Sequence, residues 1–201
     1  MRIGILALVV LAVLARIRRR IYSEKEAPWK KSQISESCSS QALARLFVTR
    51  PQAGYVVVFE EQTDSQDANE IEEVGVMLSK QQKCPVLAVL NHDDDILAYW
   101  LFDRGQLIDS YNSAPDYFEG SMEGDRGGDA ELLCKTLGKP DAVQSVREIL
   151  EGEDAPFAFM RHGALCDALN LPEWAVGVGY RYLEEGDLPD GLSEENLRRV
   201  Q

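Results

Sequence analysis

Two continuous apolar runs enclose a segment of helical periodicity in the first half of the chain. The runs are YVVVF at 55–59 and VLAVL at 86–90, and apolar residues on both faces predict strands that are buried on both sides. Between them, apolar residues recur at helical spacing over 66–80, with Asp64 or Ser65 as the capping residue. This order predicts a βαβ crossover with two parallel strands.

Three apolar segments then follow one another with only short polar turns between them. The first ends near Leu90, and the others span 96–102 and 107–111. The separating turns are rich in Asp or contain Gly, as is typical of connections between antiparallel strands. We therefore expect an antiparallel meander after the crossover.

The remaining elements complete an α+β fold. In the helix expected at 155–169, the apolar stripe predicted to face the core consists of Phe157, Met160, Ala164 and Ala168, and is widened by Leu165 and Leu169. The whole pattern predicts one domain over 41–201, with a mixed sheet of about five strands and helices packed on it. The other expected elements are helices at 41–50, 130–137, 142–150 and 193–200 and a late strand at 174–183.

The amino-terminal residues 1–22 carry an uninterrupted apolar run at 3–15, followed by a basic collar. As a helix the run covers roughly 20 Å of a hydrocarbon core about 30 Å thick. The run and collar predict a single-pass anchor helix, and the positive-inside rule then leaves the rest of the chain in the cytoplasm. A signal peptide cleaved after Ala15, with export of the domain, and a buried core helix are the alternatives. The collar consists of Arg16, Arg18, Arg19 and Arg20.

Charge separates the amino terminus from the rest of the chain. The net charge is −13, but residues 1–31 hold eight basic and two acidic residues, so the remainder carries −19. A body this acidic repels nucleic acid and favours a basic protein as partner, whereas the collar suits an anionic membrane surface. Residues 23–40 are polar and Ser-rich, which predicts a linker between the amino-terminal segment and the acidic domain.

The cysteines are widely spaced and form no C-x-x-C pair, which suits a reducing compartment but leaves two disulfides open for an exported protein. His162 and Cys166 lie one helical turn apart and could form a zinc pair or a nucleophile with its base. Burial of Cys166 as a core residue is the favoured interpretation. The cysteines are Cys38, Cys84, Cys134 and Cys166.

The densest group of polar side chains is the turn at 91–95, NHDDD. His92, Asp93 and Asp95 are the candidate ligands for a divalent metal, and they carry the alternative function of a metal-dependent hydrolase. Because neighbouring side chains of an extended segment point to opposite faces, a solvated turn is favoured over a metal site. A second acidic group in the loop before 130 lacks the order of an EF-hand, and Asp129 is expected to cap a helix there. That group is Glu119, Glu123, Asp125, Asp129 and Glu131.

An aromatic and polar segment, YNSAPDYF at 111–118, ends the meander. Exposed aromatic residues on a loop often anchor a partner protein, although the same residues can fold back over the sheet. The chain contains no nucleotide-binding or nucleophile-elbow motif and only two histidines. We therefore predict a membrane-anchored, protein-binding module and leave open whether it is an enzyme. The candidate contact residues are Tyr111, Asn112, Asp116, Tyr117 and Phe118.

Overall fold

The computed structural model describes the backbone of residues 8–13 together with residues 45–117, 125–152, 157–175 and 178–200, and this part of the chain has an α+β fold. Its strands are β1 (Leu8–Val13), β2 (Leu46–Thr49), β3 (Val56–Glu60), β4 (Val86–His92), β5 (Ile96–Asp103), β6 (Gln106–Asn112) and β7 (Leu197–Val200). Its α-helices are α1 (Ala68–Gln82), α2 (Ala130–Leu137), α3 (Val143–Glu151), α4 (Ala158–Leu169) and α5 (Tyr180–Glu185). Short 3₁₀ helices lie at Gln62–Ser65, Pro140–Ala142, Glu173–Ala175 and Glu194–Asn196.

The strands form two three-stranded antiparallel units. β4, β5 and β6 are the predicted meander, in which Val89 lies opposite Tyr99 and Tyr99 opposite Tyr111. In the second unit β2 lies between β3 and β7, with Phe47 opposite Phe59. The backbone of β1 lies between the two units and pairs antiparallel with both β3 and β4. The strand order is therefore β6-β5-β4-β1-β3-β2-β7.

β3, α1 and β4 occur in the predicted order, but the two strands are not neighbours. Since both pair antiparallel with β1, they run in the same direction with one strand between them. Every named strand pair in the described part of the chain is antiparallel, which differs from the expected mixed sheet of about five strands. An apolar pattern shows that a strand is buried on both faces, but it does not show which strand lies beside it.

Helices cover both faces of the strands. On one face α1 packs on alternate residues of β3, β4 and β5, including Val58, Ala88 and Phe102. On the other, α2, α3 and α4 cover the meander around Leu97 and Tyr99. The same face of β2 and β3 is covered by α5 and the segments beside it. The core thus consists of two layers separated by the strands.

Three expected elements are wrong. Leu46–Thr49 is a strand within the expected helix at 41–50, and Leu197–Val200 is a strand within the expected closing helix. These two strands pair with each other, so tertiary pairing overrides the local preference. The expected strand at 174–183 is also wrong, because helix α5 begins at Tyr180.

The expected anchor helix falls almost entirely outside the described residues, as does the linker at 23–40. Within 1–22 only the backbone of Leu8–Val13 is described, and it is a strand. A run of Leu, Val and Ala satisfies a two-faced buried strand as well as an apolar helix, so the pattern alone does not separate them. No helix in the described part of the chain is long and apolar enough to cross a membrane.

Gly75 marks the closest approach of α1 to the strands. A Cβ added there would lie 2.3 Å from the buried ring of Phe102. Although Ala is favoured over Gly in a helix by about 1 kcal/mol, overpacking a core costs about 1–3 kcal/mol. We therefore expect Gly75→Ala to lower the free energy of unfolding in a urea titration, and Gly75→Ala combined with Phe102→Leu to recover part of the loss. A single variant as stable as the parent would contradict this packing.

Candidate partner-binding surface

The turn that joins β4 to β5 organises the neighbouring surface. Asp93 and Asp94 both adopt left-handed backbone angles, with φ of 50° and 64°. Asp is among the residues that tolerate this region, because its short side chain can hydrogen-bond locally. The tight turn therefore sends consecutive acidic side chains in different directions.

Asp94 caps helix α4 from a position 65 residues earlier in the chain. Its Oδ1 accepts a 2.6 Å hydrogen bond from the backbone N–H of Phe159, and its carbonyl accepts one from Ala158 at 2.9 Å. The helix has no capping side chain of its own at Phe157. A carboxylate at this end also interacts favourably with the helix dipole. The turn thus fixes the start of α4.

The other polar side chains of the turn serve different neighbours. Asp95 accepts a 2.9 Å hydrogen bond from the hydroxyl of Tyr117, which raises the pKa of that phenol. His92 hydrogen-bonds through Nδ1 to Oε1 of Gln66, and its Nε2 lies 3.7 Å from an Asp93 oxygen. The carboxylates of Asp94 and Asp95 are thereby used to hold α4 and the 113–117 segment against the turn.

The described geometry gives no support to the metal-dependent hydrolase. Nε2 of His92 and the carboxylate of Asp93 approach each other, but no group of three or more His, Cys, Asp or Glu side chains in the described ranges could hold a metal ion. A groove with a volume of about 550 Å³ lies elsewhere on the described part of the chain. It is lined by residues 126–131, Arg147, Leu150 and Glu151. The metal-dependent hydrolase therefore stays a prediction.

Helix α4 is turned only partly as the sequence predicts, because Leu165 and Leu169 are buried but Phe157 and Met160 of the predicted stripe are exposed. Its buried face carries Arg161 and His162, whereas Phe157, Phe159 and Met160 point outward. A stripe of large apolar residues was expected to be buried, and its first members are instead exposed. Large apolar side chains in water beside a buried cation are the informative exception to ordinary burial.

The polar residues on the buried face of α4 are Arg161 and His162. Nη1 of Arg161 donates hydrogen bonds to the carbonyls of Ile149 and Leu150, at 2.6 and 3.4 Å, and to the hydroxyl of Tyr111 at 3.3 Å. His162 is fully enclosed, and burial lowers its pKa to about 4, so the ring is neutral near pH 7. Cys166 is buried on the same face, as expected for a core residue.

Tyr117, Phe157, Phe159 and Met160 together form what we call the aromatic surface. Their exposed fractions are 40, 52, 48 and 51%, and in the described part of the chain the only other large apolar residue this exposed is Leu107 on β6. Asp94 and Asp95 hold the two contributing segments next to each other. The residues of these segments and the turn, 91–98, 113–117 and 157–160, include four Asp and no Lys or Arg. The aromatic surface is therefore surrounded by negative charge.

The predicted contact residues separate into different environments. Tyr111 is a core residue, stacked on Tyr99 at a ring-centroid distance of 5.6 Å, with its hydroxyl donating to the Leu150 carbonyl. Tyr111 is therefore not an exposed contact residue, which corrects its prediction as a contact with a partner. Asn112 is half-buried and accepts a hydrogen bond from the Ala114 N–H, while Asp116 is half-buried and Tyr117 exposed. Phe118 lies outside the described residues.

The acidic group before residue 130 and the cysteines lie only partly within the described residues. Asp129 caps α2 as predicted, accepting from the N–H groups of Glu131 and Leu132 at 2.9 Å. Glu119 and Glu123 lie outside the described residues, as does Cys38. Cys84 and Cys134 are buried thiols like Cys166.

Sequence reasoning missed Phe157, Phe159 and Met160 as surface residues. One signal was present: Phe157 and Met160 are on one stripe, but Phe159 lies off it, so no single buried face accommodates all three. The remote cap from Asp94, which fixes the start of α4, has no local sequence signature.

Comparisons of the chain with protein-family models, with curated proteins and with solved structures found no match.

The capping role of Asp94 can be separated from its backbone strain. Asp93→Gly and Asp94→Gly each place a glycine where the backbone is left-handed, which removes the strain of a side chain there. Only Asp94→Gly also removes the carboxylate that caps α4. We expect Asp94→Gly to be less stable than Asp93→Gly by about 1 kcal/mol, the usual contribution of a helix cap. Urea unfolding of the two variants measures the difference, and equal midpoints would show that the carboxylate does not cap α4.

Proposed function

We propose that this acidic α+β domain acts by binding another protein through the aromatic surface. The observation that carries the proposal is the orientation of α4, which exposes Phe157, Phe159 and Met160 while burying Arg161 and His162. Clustered aromatic and Met side chains are the residue types enriched at the centre of protein interfaces.

The charge around the aromatic surface identifies the kind of partner. Asp93 and Asp95 are exposed beside it, and no Lys or Arg occurs in the segments that form it. Carboxylates at the rim of an apolar patch favour a partner with complementary basic groups, and they speed its association at low salt. We infer that the partner presents an apolar face bordered by Lys or Arg, for example a basic amphipathic helix.

The geometry of the contact residues suits this role. Tyr117 is held by its hydrogen bond to Asp95, and the backbone of Phe159 by its hydrogen bond to Asp94. Side chains that are already positioned lose less conformational entropy when a partner binds.

A labelled amphipathic peptide built only from Leu and Lys is the probe for this surface. We expect saturable binding in fluorescence anisotropy, with Phe159→Ser and Met160→Ser each raising Kd about tenfold or more, as for interface anchors. Leu107→Ser is the matched control, because Leu107 is equally exposed but lies on β6, outside the aromatic surface. Raising the salt to about 0.5 M should weaken binding, since charges are then screened within several ångströms.

Two results would contradict the proposal. Equal Kd values for the parent, Phe159→Ser, Met160→Ser and Leu107→Ser would show that the aromatic surface does not bind the probe. Equal binding of a Leu and Glu peptide would remove the role of the acidic rim.

We also propose that residues 1–22 bring the domain to the cytoplasmic face of a membrane. The support is the apolar run at 3–15 followed directly by the collar of four arginines. Each basic residue near an anionic surface adds about 1 kcal/mol of attraction, while the acidic domain is repelled from the same surface. An anchored domain would then present the aromatic surface to partners at the membrane.

A further inference from the structure

Strand β1 belongs to the amino-terminal apolar segment and lies between β3 and β4. Its residues pair along their whole length with β4, from Leu8 opposite Asn91 to Val13 opposite Val86, and in part with β3. β3 and β4 therefore lie two strand spacings apart, or roughly 9.6 Å, which is too far for them to pair directly. The two three-stranded units are joined across this gap by one strand.

The same six residues lie inside the apolar run at 3–15. In the sheet, the N–H and C=O groups of a central strand are satisfied by its two neighbours. In a bilayer they can be satisfied only if the segment is a helix. Residues 8–13 therefore cannot occupy both places at once.

We propose that residues 8–13 exchange between these two places, the gap between β3 and β4 and an anionic membrane. The proposal rests on the membrane contact proposed above, and adds that the segment must leave the sheet to make it. Both places favour an uninterrupted apolar sequence, and residues 8–13 are Leu, Val and Ala throughout. The run is also short for a full span, which makes insertion easier to reverse than that of a longer helix.

The exchange has a structural consequence for the domain. When β1 leaves, the facing edges of β3 and β4 lose their partners, including the backbone groups of Val58 and Val89, which lie opposite Leu11 and Val10. Unpaired strand edges exchange their amide protons faster and accept other strands. Membrane binding would thus be linked to opening of the sheet.

A disulfide across β1 and β4 tests the exchange in the full-length protein. Val10 and Val89 are direct Cα partners, which places two cysteines within reach of a cross-strand bond. The variant is Val10→Cys with Val89→Cys in a Cys38→Ser background, and the probe is a vesicle of phosphatidylcholine and phosphatidylserine. The control pair is Val48→Cys with Val58→Cys, which joins β2 to β3 and leaves β1 untethered.

We expect the oxidised Val10→Cys, Val89→Cys protein to float with vesicles at least tenfold less than the same protein after reduction. The control pair should float equally in both states. If the disulfide does not form, or if the oxidised protein floats as well as the reduced one, the exchange is wrong. If neither form of either pair floats, the proposed membrane contact is wrong, and the exchange that rests on it is overturned as well.

Discussion

Replacing Glu60 by glutamine is expected to stabilise the protein above pH 7 and to change little at pH 4. The Glu60 side chain is completely buried at the end of β3. Its Oε2 accepts hydrogen bonds from the N–H groups of Gln62 and Thr63, at 2.9 and 3.2 Å, but Oε1 has no partner among the described residues. Burial raises the pKa of this carboxyl from 4.5 to about 7, more than the two hydrogen bonds lower it.

The sign of the pH dependence follows from that shift. Below pH 4.5 Glu60 is protonated in both the folded and the unfolded chain, so its stabilising contribution is complete. Between pH 4.5 and about 7 the unfolded chain releases the proton while the folded chain retains it, and the free energy of unfolding falls. The loss levels off above pH 7 at roughly 3 kcal/mol. Glutamine does not ionise, so the Glu60→Gln variant avoids this loss.

Urea titrations of the parent and Glu60→Gln from pH 4 to pH 8.5 measure the difference. His162, whose folded pKa lies near 4, makes stability rise with pH up to the unfolded value of 6.5. This contribution is present in both proteins and cancels. Glu73→Gln makes the same chemical change at an exposed position of α1 and should give a nearly constant difference. A constant difference for Glu60→Gln as well would show that Glu60 is ionised in the folded protein at pH 5.

Local patterns predicted the elements whose boundaries are set within a few residues. The helix α1, the meander and the Asp129 cap of α2 are of this kind, because alternation, helical periodicity and capping are properties of neighbouring residues. Asp64 shows where this reasoning stops. It was expected to cap α1, yet Asp67 does so, and the Asp64 carboxylate accepts from the N–H groups of Tyr180 and Arg181 at the start of α5.

The aromatic surface depends on contacts of the same remote kind. Asp94 sets the start of α4 from another part of the chain, and Arg161 determines which face of the helix is buried. The contact of Asp94 with Phe159 spans 65 residues, beyond the window of about 18 residues over which periodicity is read. The contact of Arg161 with Ile149 spans only 12 residues, but it joins two helices, and the periodicity of one helix does not show which residues of another helix it contacts. The sequence pattern therefore predicts a partner contact at aromatic residues near 111–118, but the predicted set includes Tyr111, which is buried, and omits Phe159 and Met160, which are exposed.

Arg161→Met is expected to lower the free energy of unfolding by about 2–4 kcal/mol. The side chain is only 7% exposed, and its Nη1 satisfies the carbonyls of Ile149 and Leu150 in the last turn of α3. Those carbonyls lack ordinary partners within the helix, and a cation near them is favoured by the helix dipole. Methionine fills a similar volume but donates no hydrogen bond, so the half-buried carbonyl of Ile149 loses the partner that Arg161 provides.

Arg147→Met provides the matched control. Arg147 lies on α3, the helix that Arg161 contacts, but its ion pair with Glu131 is near the surface. Exposed pairs contribute at most about 1 kcal/mol, so this variant should unfold close to the parent in urea. Equal losses for the two variants would show that Arg161 does not join α4 to α3.

Since the contact of Arg161 with α3 keeps Phe159 and Met160 on the outside of α4, Arg161→Met should also weaken binding of the Leu and Lys peptide under conditions where the variant remains folded. The combined loss would show that a buried cation positions the aromatic surface.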